Sequence, residues 1–216
     1  MSWQKSAAVF DERAAEYDSW YDDSLLFAIE LAAIKELRTP LAAPRLEIGV
    51  GPGRFARELD VELGLDPAHG PLRLAAGRIP HVCQGVGEEL PLADNSFSSI
   101  YLLFTLCFTQ EPRKVIAEAH RVLRPGGHLV LGVIPADGPW GLHLQAKKEA
   151  GHPFYKGANF FEMGQLVRLL VAQGFEAREM RSTLFQAPDQ VAELEDSRQG
   201  LVEECGLALI VVKKVA

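Results

Sequence analysis

Glycines recur at alternate positions in Leu46-Glu47-Ile48-Gly49-Val50-Gly51-Pro52-Gly53-Arg54-Phe55-Ala56, and this segment constrains the fold more than any other stretch of the chain. Arg45-Leu46-Glu47-Ile48-Gly49 reads as a strand and Arg54–Leu59 as a short helix, so the glycines let the backbone turn sharply between them and approach a ligand closely. A second strand, Val61–Leu65, completes a β-α-β unit. Further apolar runs at His81–Gln84, Ser98–Phe104 and His128–Ile134 are separated by helical candidates. The clearest of these, Pro112–Leu123, opens on proline and closes into Pro125-Gly126-Gly127. Toward the N-terminus, residues 6–16 and Ser24–Arg38 carry helical patterns, the second ending at Thr39-Pro40. Late in the chain Glu162–Gln173 reads as a helix stopped by Gly174. Phe175–Phe185 and Leu207–Val212 then form a closing, hairpin-like pair with a short helix, Pro188–Glu195, between them. Strands alternating with helices predict a mainly parallel sheet covered on both faces.

A length of 216 residues suits one α/β domain, and 48% hydrophobic with 24% charged residues is the balance of a packed globular chain. No apolar run approaches the roughly 20 residues that span a bilayer, and Met1-Ser2-Trp3-Gln4-Lys5 lacks the apolar core of a signal peptide, so the expected location is cytoplasmic. Three cysteines, Cys83, Cys107 and Cys205, are odd in number and widely spaced, and read as reduced core residues. With no CxxC and six histidines that lack ligand-like pairing, no metal site is expected. A net charge of −7 argues against a nucleic-acid substrate, since phosphate backbones are bound by clustered Lys and Arg. The lysine pairs Lys147-Lys148 and Lys213-Lys214 read as solvated faces or strand ends.

Two carboxylates narrow the ligand of the glycine turn. Asp66 follows the second strand in Gly64-Leu65-Asp66-Pro67, where it can accept both hydroxyls of an adenosine ribose. Glu47 precedes the first glycine, where a carboxylate would repel a pyrophosphate but suit the ammonium of an amino acid. Arg54 stands where a dinucleotide fingerprint would place its third glycine. S-adenosylmethionine fits these residues, and a nicotinamide dinucleotide is the second reading.

Glu47-Ile48-Gly49-Val50-Gly51-Pro52-Gly53-Arg54-Phe55 resembles the first motif of class I S-adenosylmethionine-dependent methyltransferases. Gln84-Gly85-Val86-Gly87-Glu88-Glu89-Leu90-Pro91-Leu92-Ala93-Asp94-Asn95-Ser96-Phe97 and Arg121-Val122-Leu123-Arg124-Pro125-Gly126-Gly127-His128-Leu129 are similar to two later segments of that family, in the family's order. The closest subgroup is the small-molecule enzymes resembling those of ubiquinone and menaquinone biosynthesis (type 11). The resemblance implies a Rossmann-like α/β fold: a seven-stranded, mainly parallel sheet with helices on both faces and an antiparallel last strand. It implies a single domain, 1–216, with residues 1–40 an N-terminal helical lid, 41–135 the cofactor-binding half and 136–216 the substrate-side half. It also assigns Glu47, Gly49, Gly51 and Gly53 to the methionine end of the cofactor, Asp66 and Pro67 to the ribose, and Gly87 and Glu88 to the adenine. Leu103, with Phe104 and Thr105, would face the sulfonium or simply pack in the core. Tyr17, in Tyr17-Asp18-Ser19-Trp20-Tyr21, would contact the cofactor from a lid, although these aromatics equally suit packing. Gly70-Pro71 departs from the family's usual helix start and marks the adenine side as altered.

Methyl transfer from a sulfonium to a small-molecule acceptor, yielding S-adenosylhomocysteine, requires positioning in a water-poor pocket and no catalytic triad. No catalytic residue is assigned. His143, His152 and Tyr155 are candidate bases for a hydroxyl acceptor, or surface and packing residues. The aromatic run Phe154-Tyr155-Lys156-Gly157-Ala158-Asn159-Phe160-Phe161 suggests an apolar acceptor, or core. Leu103-Phe104-Thr105-Leu106-Cys107-Phe108 lacks the Pro-Pro-aromatic motif of adenine methylases, and no Pro-Cys dipeptide is present, which argues against DNA methylation. A non-catalytic S-adenosylmethionine-binding protein and an NAD-dependent oxidoreductase remain alternatives. The acceptor and the oligomeric state stay open.

Overall fold

The computed structural model describes residues 3–215; Met1, Ser2 and Ala216, the first two part of the stretch read above as lacking a leader, lie outside the described residues. One sheet organises the molecule. Its strands are β1 (Arg45–Ile48), β2 (Leu63–Asp66), β3 (His81–Gln84), β4 (Phe97–Leu103), β5 (Leu123–Val133), β6 (Phe175–Thr183), β7 (Arg198–Gln199) and β8 (Leu207–Lys214). They lie in the order β3-β2-β1-β4-β5-β8-β6-β7. The first five are mutually parallel, and β8 inserts antiparallel between β5 and β6. The eighth strand, unexpected from sequence, is the two-residue β7 pairing Arg181 with Gln199 and Ser182 with Arg198. Two residues are too few to show a period.

The helices are α1 (Trp3–Glu12), α2 (Ala14–Ser19), α3 (Leu25–Lys35), α4 (Arg54–Glu58), α5 (His69–Ala75), α6 (Pro112–Val122), α7 (Pro139–Glu149) and α8 (Met163–Ala172). Strand alternation divides the core in two. Leu46, Ile48, Ile100, Leu102, Leu129 and Leu131 face α6 and α8, burying Ile116 and Leu166. Tyr101, Leu103, Val130, Leu209 and Val211 face the other way, against Ile29 and Ala33 of α3 and Leu72 and Ala75 of α5. Ser24 caps α3, its hydroxyl accepting from the Phe27 amide at 3.2 Å, a contact worth roughly 1 kcal/mol.

Three expectations change. The helix at Pro188–Glu195 does not form. Instead the Glu195 carboxylate accepts the Phe185 amide at 2.8 Å and the Gln186 side chain accepts the Ala192 amide at 2.9 Å, so side chains serve the backbone where a helix would have served itself. Helix α7, in a stretch for which the sequence suggested no helix, buries Trp140 and Leu144 one turn apart. Gly70-Pro71 does not spoil a helix start: both lie in the first turn of α5, where the Gly70 amide donates to Asp11 Oδ1 at 2.6 Å. A Cβ on Gly70 would lie 2.9 Å from the Asp11 carbonyl oxygen, so the glycine is what lets α1 rest on α5.

All three cysteines are free. Among the described residues no helix is long and apolar enough to cross a membrane, and no group of three or more His, Cys, Asp or Glu is placed to hold a metal ion.

Candidate functional site

The sheet order reverses between β1 and β4, and the carboxyl ends of such strands leave a crevice because the flanking connections depart to opposite faces. A cavity opens there. Gly49, Gly51, Asp66, Pro67, Gly87, Glu88, Leu103 and Tyr17 all line it, so turns far apart in sequence converge on one space. Gly53 does not reach the cavity: with φ +77° it caps α4, and its missing Cβ leaves room for Ala75. Glu47 lies beneath, on β1, 2% exposed.

The acidic pair is unusual electrostatically. Asp66 Oδ2 accepts the Gly51 amide and Oδ1 the Ala68 amide, both at 2.8 Å, which fixes the carboxylate against the glycine turn. Burial raises its pKa to about 6, with those two amides partly offsetting the rise. Glu47 Oε2 is buried with no hydrogen-bond partner. Burial, then the nearby Asp66 charge, pushes the Glu47 carboxyl well up, and its charge is felt by Tyr17 and Tyr21. An orphaned carboxylate at this place fits an amino-acid ammonium, which would supply both the missing hydrogen bond and the missing counter-charge. Asp66, on the wall of the cavity, retains lone pairs beyond those two bonds.

Tyr17 roofs the turn. A Cβ on Gly51 would come within 3.2 Å of its ring, and its hydroxyl accepts from Tyr21 at 3.0 Å. The roof is latched by Asp18, which accepts from Arg54 Nε at 2.7 Å and from Arg78 at 2.7 and 2.8 Å; Arg54 also reaches Asp22 at 2.8 Å. Arg78 donates to the Pro52 carbonyl at 2.6 Å as well, joining roof, α5 and glycine turn. Burial alone would raise the Asp18 carboxyl, but the two guanidiniums bring it down to about 2. Sequence reasoning read Arg54 only as an absent glycine; its partner lies too far along the chain for spacing to reveal. At the end of β4, Thr105 Oγ1 donates to the Leu103 carbonyl at 2.9 Å, beside Phe104 with φ +55°.

A second cavity adjoins the first, and Phe10, Tyr17, Phe104 and Phe108 line both. Its wall is aromatic, including Trp20, Tyr21, Phe27, Trp140 and, from the aromatic run, Phe154, Tyr155, Phe160 and Phe161. Of the three candidate bases only Tyr155 lines it. Burial pushes that phenol up to about 12. His143 lies 3.8 Å from Asp189, and His152 has a buried, unpartnered Nδ1, its pKa lowered by burial and Lys147. Glu30, a residue not anticipated from sequence, is the one carboxyl among the described residues that line this cavity.

Comparisons with known proteins place the chain among methyltransferases. The methyltransferase domain family matches residues 46–131. An uncharacterized protein of Mycobacterium tuberculosis is 38% identical over 201 residues, 91% of this chain and 70% of its own length. A demethylmenaquinone methyltransferase of Renibacterium salmoninarum is 32% identical over 151 residues, covering 62% of this chain and 61% of that one. Among solved structures, one from Thermotoga maritima titled an S-adenosylmethionine-dependent methyltransferase, possible histamine N-methyltransferase, superposes with a TM-score of 0.90 at 33% identity, over 97% of this chain and 99% of that one.

Proposed function

Because this chain belongs to the class I S-adenosylmethionine-dependent methyltransferases, we propose that it methylates a small molecule held in the aromatic cavity, using S-adenosylmethionine held at the β1–β4 crevice. The observation that carries this reading is the shared wall: Phe10, Tyr17, Phe104 and Phe108 border both cavities, so donor and acceptor would meet there. On this reading residues 1–40 are a lid, 41–135 the cofactor-binding half and 136–216 the acceptor side of one domain.

Bound S-adenosylmethionine supplies a methyl group on a sulfonium, which leaves as a neutral thioether. The chain's task is placement. Asp66, fixed by the Gly51 and Ala68 amides, accepts the ribose hydroxyls. Glu47 receives the ammonium, while Pro67, Gly87 and Glu88 border the ribose and adenine. Leu103 closes the end of β4, and Tyr17, held down through Asp18, excludes water from above. Tyr155 stays a neutral phenol at physiological pH, so it orients an acceptor by hydrogen bonding and takes no proton.

Isothermal titration with S-adenosylmethionine, S-adenosylhomocysteine and NAD tests the proposal. The first two bind and NAD does not. Asp66→Ala and Glu47→Gln each weaken S-adenosylhomocysteine by about 10-fold or more, the scale of a lost charge-assisted hydrogen bond. Unchanged affinity in both variants would remove the site assignment.

A further inference from the structure

Glu30 sits within α3, whose other buried side chains are Ile29, Ala33 and Ile34. It is 8% exposed, and no hydrogen bond or ion pair engages its carboxylate among the described residues. It nevertheless lines the aromatic cavity, whose wall carries no Lys, Arg or His among the described residues. Tyr21 and Tyr155 feel its charge, and Trp20 closes the same space, 4.8 Å from Phe154 and stacked at 6.4 Å on Tyr155. An unpartnered carboxylate is poorly tolerated in such a setting unless a proton or a cationic occupant neutralises it. Aromatic faces are electron-rich, so they repel an anionic occupant and attract a cation. A neutral apolar occupant would leave the carboxylate unmatched.

We infer that the acceptor is a small organic amine, recognised as its ammonium with the Glu30 carboxylate as counter-charge and the rings of Trp20, Tyr21 and Tyr155 around it; the ammonium proton passes to Glu30, and the freed nitrogen lone pair then takes the methyl carbon as the carbon–sulfur bond breaks and the donor leaves as a neutral thioether. This deepens the proposed function and rests on it. Burial pushes the free Glu30 carboxyl up to about 8, so a cation must displace a proton to bind below that pH. Among the described residues lining the cavity no other group titrates in that range, and burial raises the Tyr17 phenol as well. The Tyr21 phenol is raised well above its ordinary value, Tyr155 to about 12, and the Cys107 thiol on the same wall to about 12, all by burial. On β6, which packs against α3, Arg181 pairs with Glu36, and Glu179 accepts the amides of Arg38 and Thr39, at the far end of the helix.

The test uses three probes of one shape: 2-phenylethylamine, its permanently charged trimethylammonium analogue, and 2-phenylethanol. Binding is followed by calorimetry and by the fluorescence of Trp20 and Trp140, with and without S-adenosylhomocysteine, from about pH 6 to 9. Both cations are expected to bind about 10-fold or more tightly than the alcohol near pH 8.5. The trimethylammonium probe, which has no proton of its own to lose, weakens toward pH 6 and releases a proton from the protein on binding. Glu30→Gln brings the three probes within about 2-fold and flattens the pH profile, with S-adenosylhomocysteine affinity unchanged. Equal binding of the alcohol, a cation preference that survives Glu30→Gln, a flat wild-type profile, or no binding of either cation each overturns the inference. Should Glu30→Gln fail to fold, the wild-type profile with the permanent cation decides alone. Failure of S-adenosylhomocysteine to bind wild-type protein overturns the proposed function instead, a separate reading in the same cell.

Discussion

Glu30 carries a stability signature of its own. Its ordinary pKa of 4.5 applies to the unfolded chain, while burial holds the folded group near 8. Between those values the native protein keeps a proton that the unfolded chain has lost, so stability falls as pH rises through this window and levels off above it. Glu30→Gln removes that slope. The variant is therefore expected to gain on wild type by an amount on the order of a few kcal/mol between about pH 5 and 9, read from denaturant midpoints. Parallel curves would mean that the Glu30 carboxyl titrates alike in the folded and the unfolded chain. Such destabilisation is what a binding group held ready for an absent partner produces. Asp66 adds to the same slope from 3.8 to about 6, which is why the comparison is made against the Gln variant and not against pH alone.

At the scale of elements, the decisive contact is between α2 and the turn and helix that follow β1. Asp18 joins Arg54 and Arg78 with side chains only about 15–19% exposed, so solvent screens the pair incompletely. Asp18→Asn is expected to leave the sheet folded but loosen the roof: amides of α1 and α2 exchange faster with deuterium, and S-adenosylhomocysteine dissociates about 10-fold faster. Unaltered exchange would make the Asp18 cluster a surface ornament. Because the folded Asp18 carboxyl titrates at about 2 against an ordinary 3.8, the latch is intact above pH 4 and is lost only as pH falls through that interval. The same elements mark how far the sequence could be read. The glycine turn, Asp66 and the Gly87-Glu88 turn were legible because each signal lies within a few residues of a strand end. The latch was not, since Asp18, Arg54 and Arg78 announce nothing singly, and Gly70 looked like a defect until α1 was seen resting on it. Glu30 was hidden because a glutamate in an amphipathic helix ordinarily marks the wet face. Helix α7 was obscured by Gly141 and by the exposed Leu142, which blur the buried pair Trp140 and Leu144.

In the whole molecule, the two halves of the sheet hold what lies above them differently. The parallel strands β1, β2 and β4 end in short turns whose residues border the first cavity, so that cavity is set largely by backbone. The aromatic cavity draws instead on α2, α3, α7 and the 150–161 segment, and is set by side chains. Core layers on both faces of the sheet fix the first, whereas the second depends on rings packed against one another, Phe10 on Phe154 at 5.2 Å and Trp20 on Phe154 at 4.8 Å. Substitutions at Trp20 or Phe154, which line the aromatic cavity alone, should therefore change which molecule is accepted while sparing the other cavity. Tyr17 belongs to both spaces. On the proposed function one roof covers donor and acceptor, so replacing a spent cofactor would mean lifting the element that also retains the product. An acceptor able to take more than one methyl group should accordingly be let go between transfers, so singly methylated product accumulates before any doubly methylated species; turnover would be distributive, and a time course resolved by mass would show it.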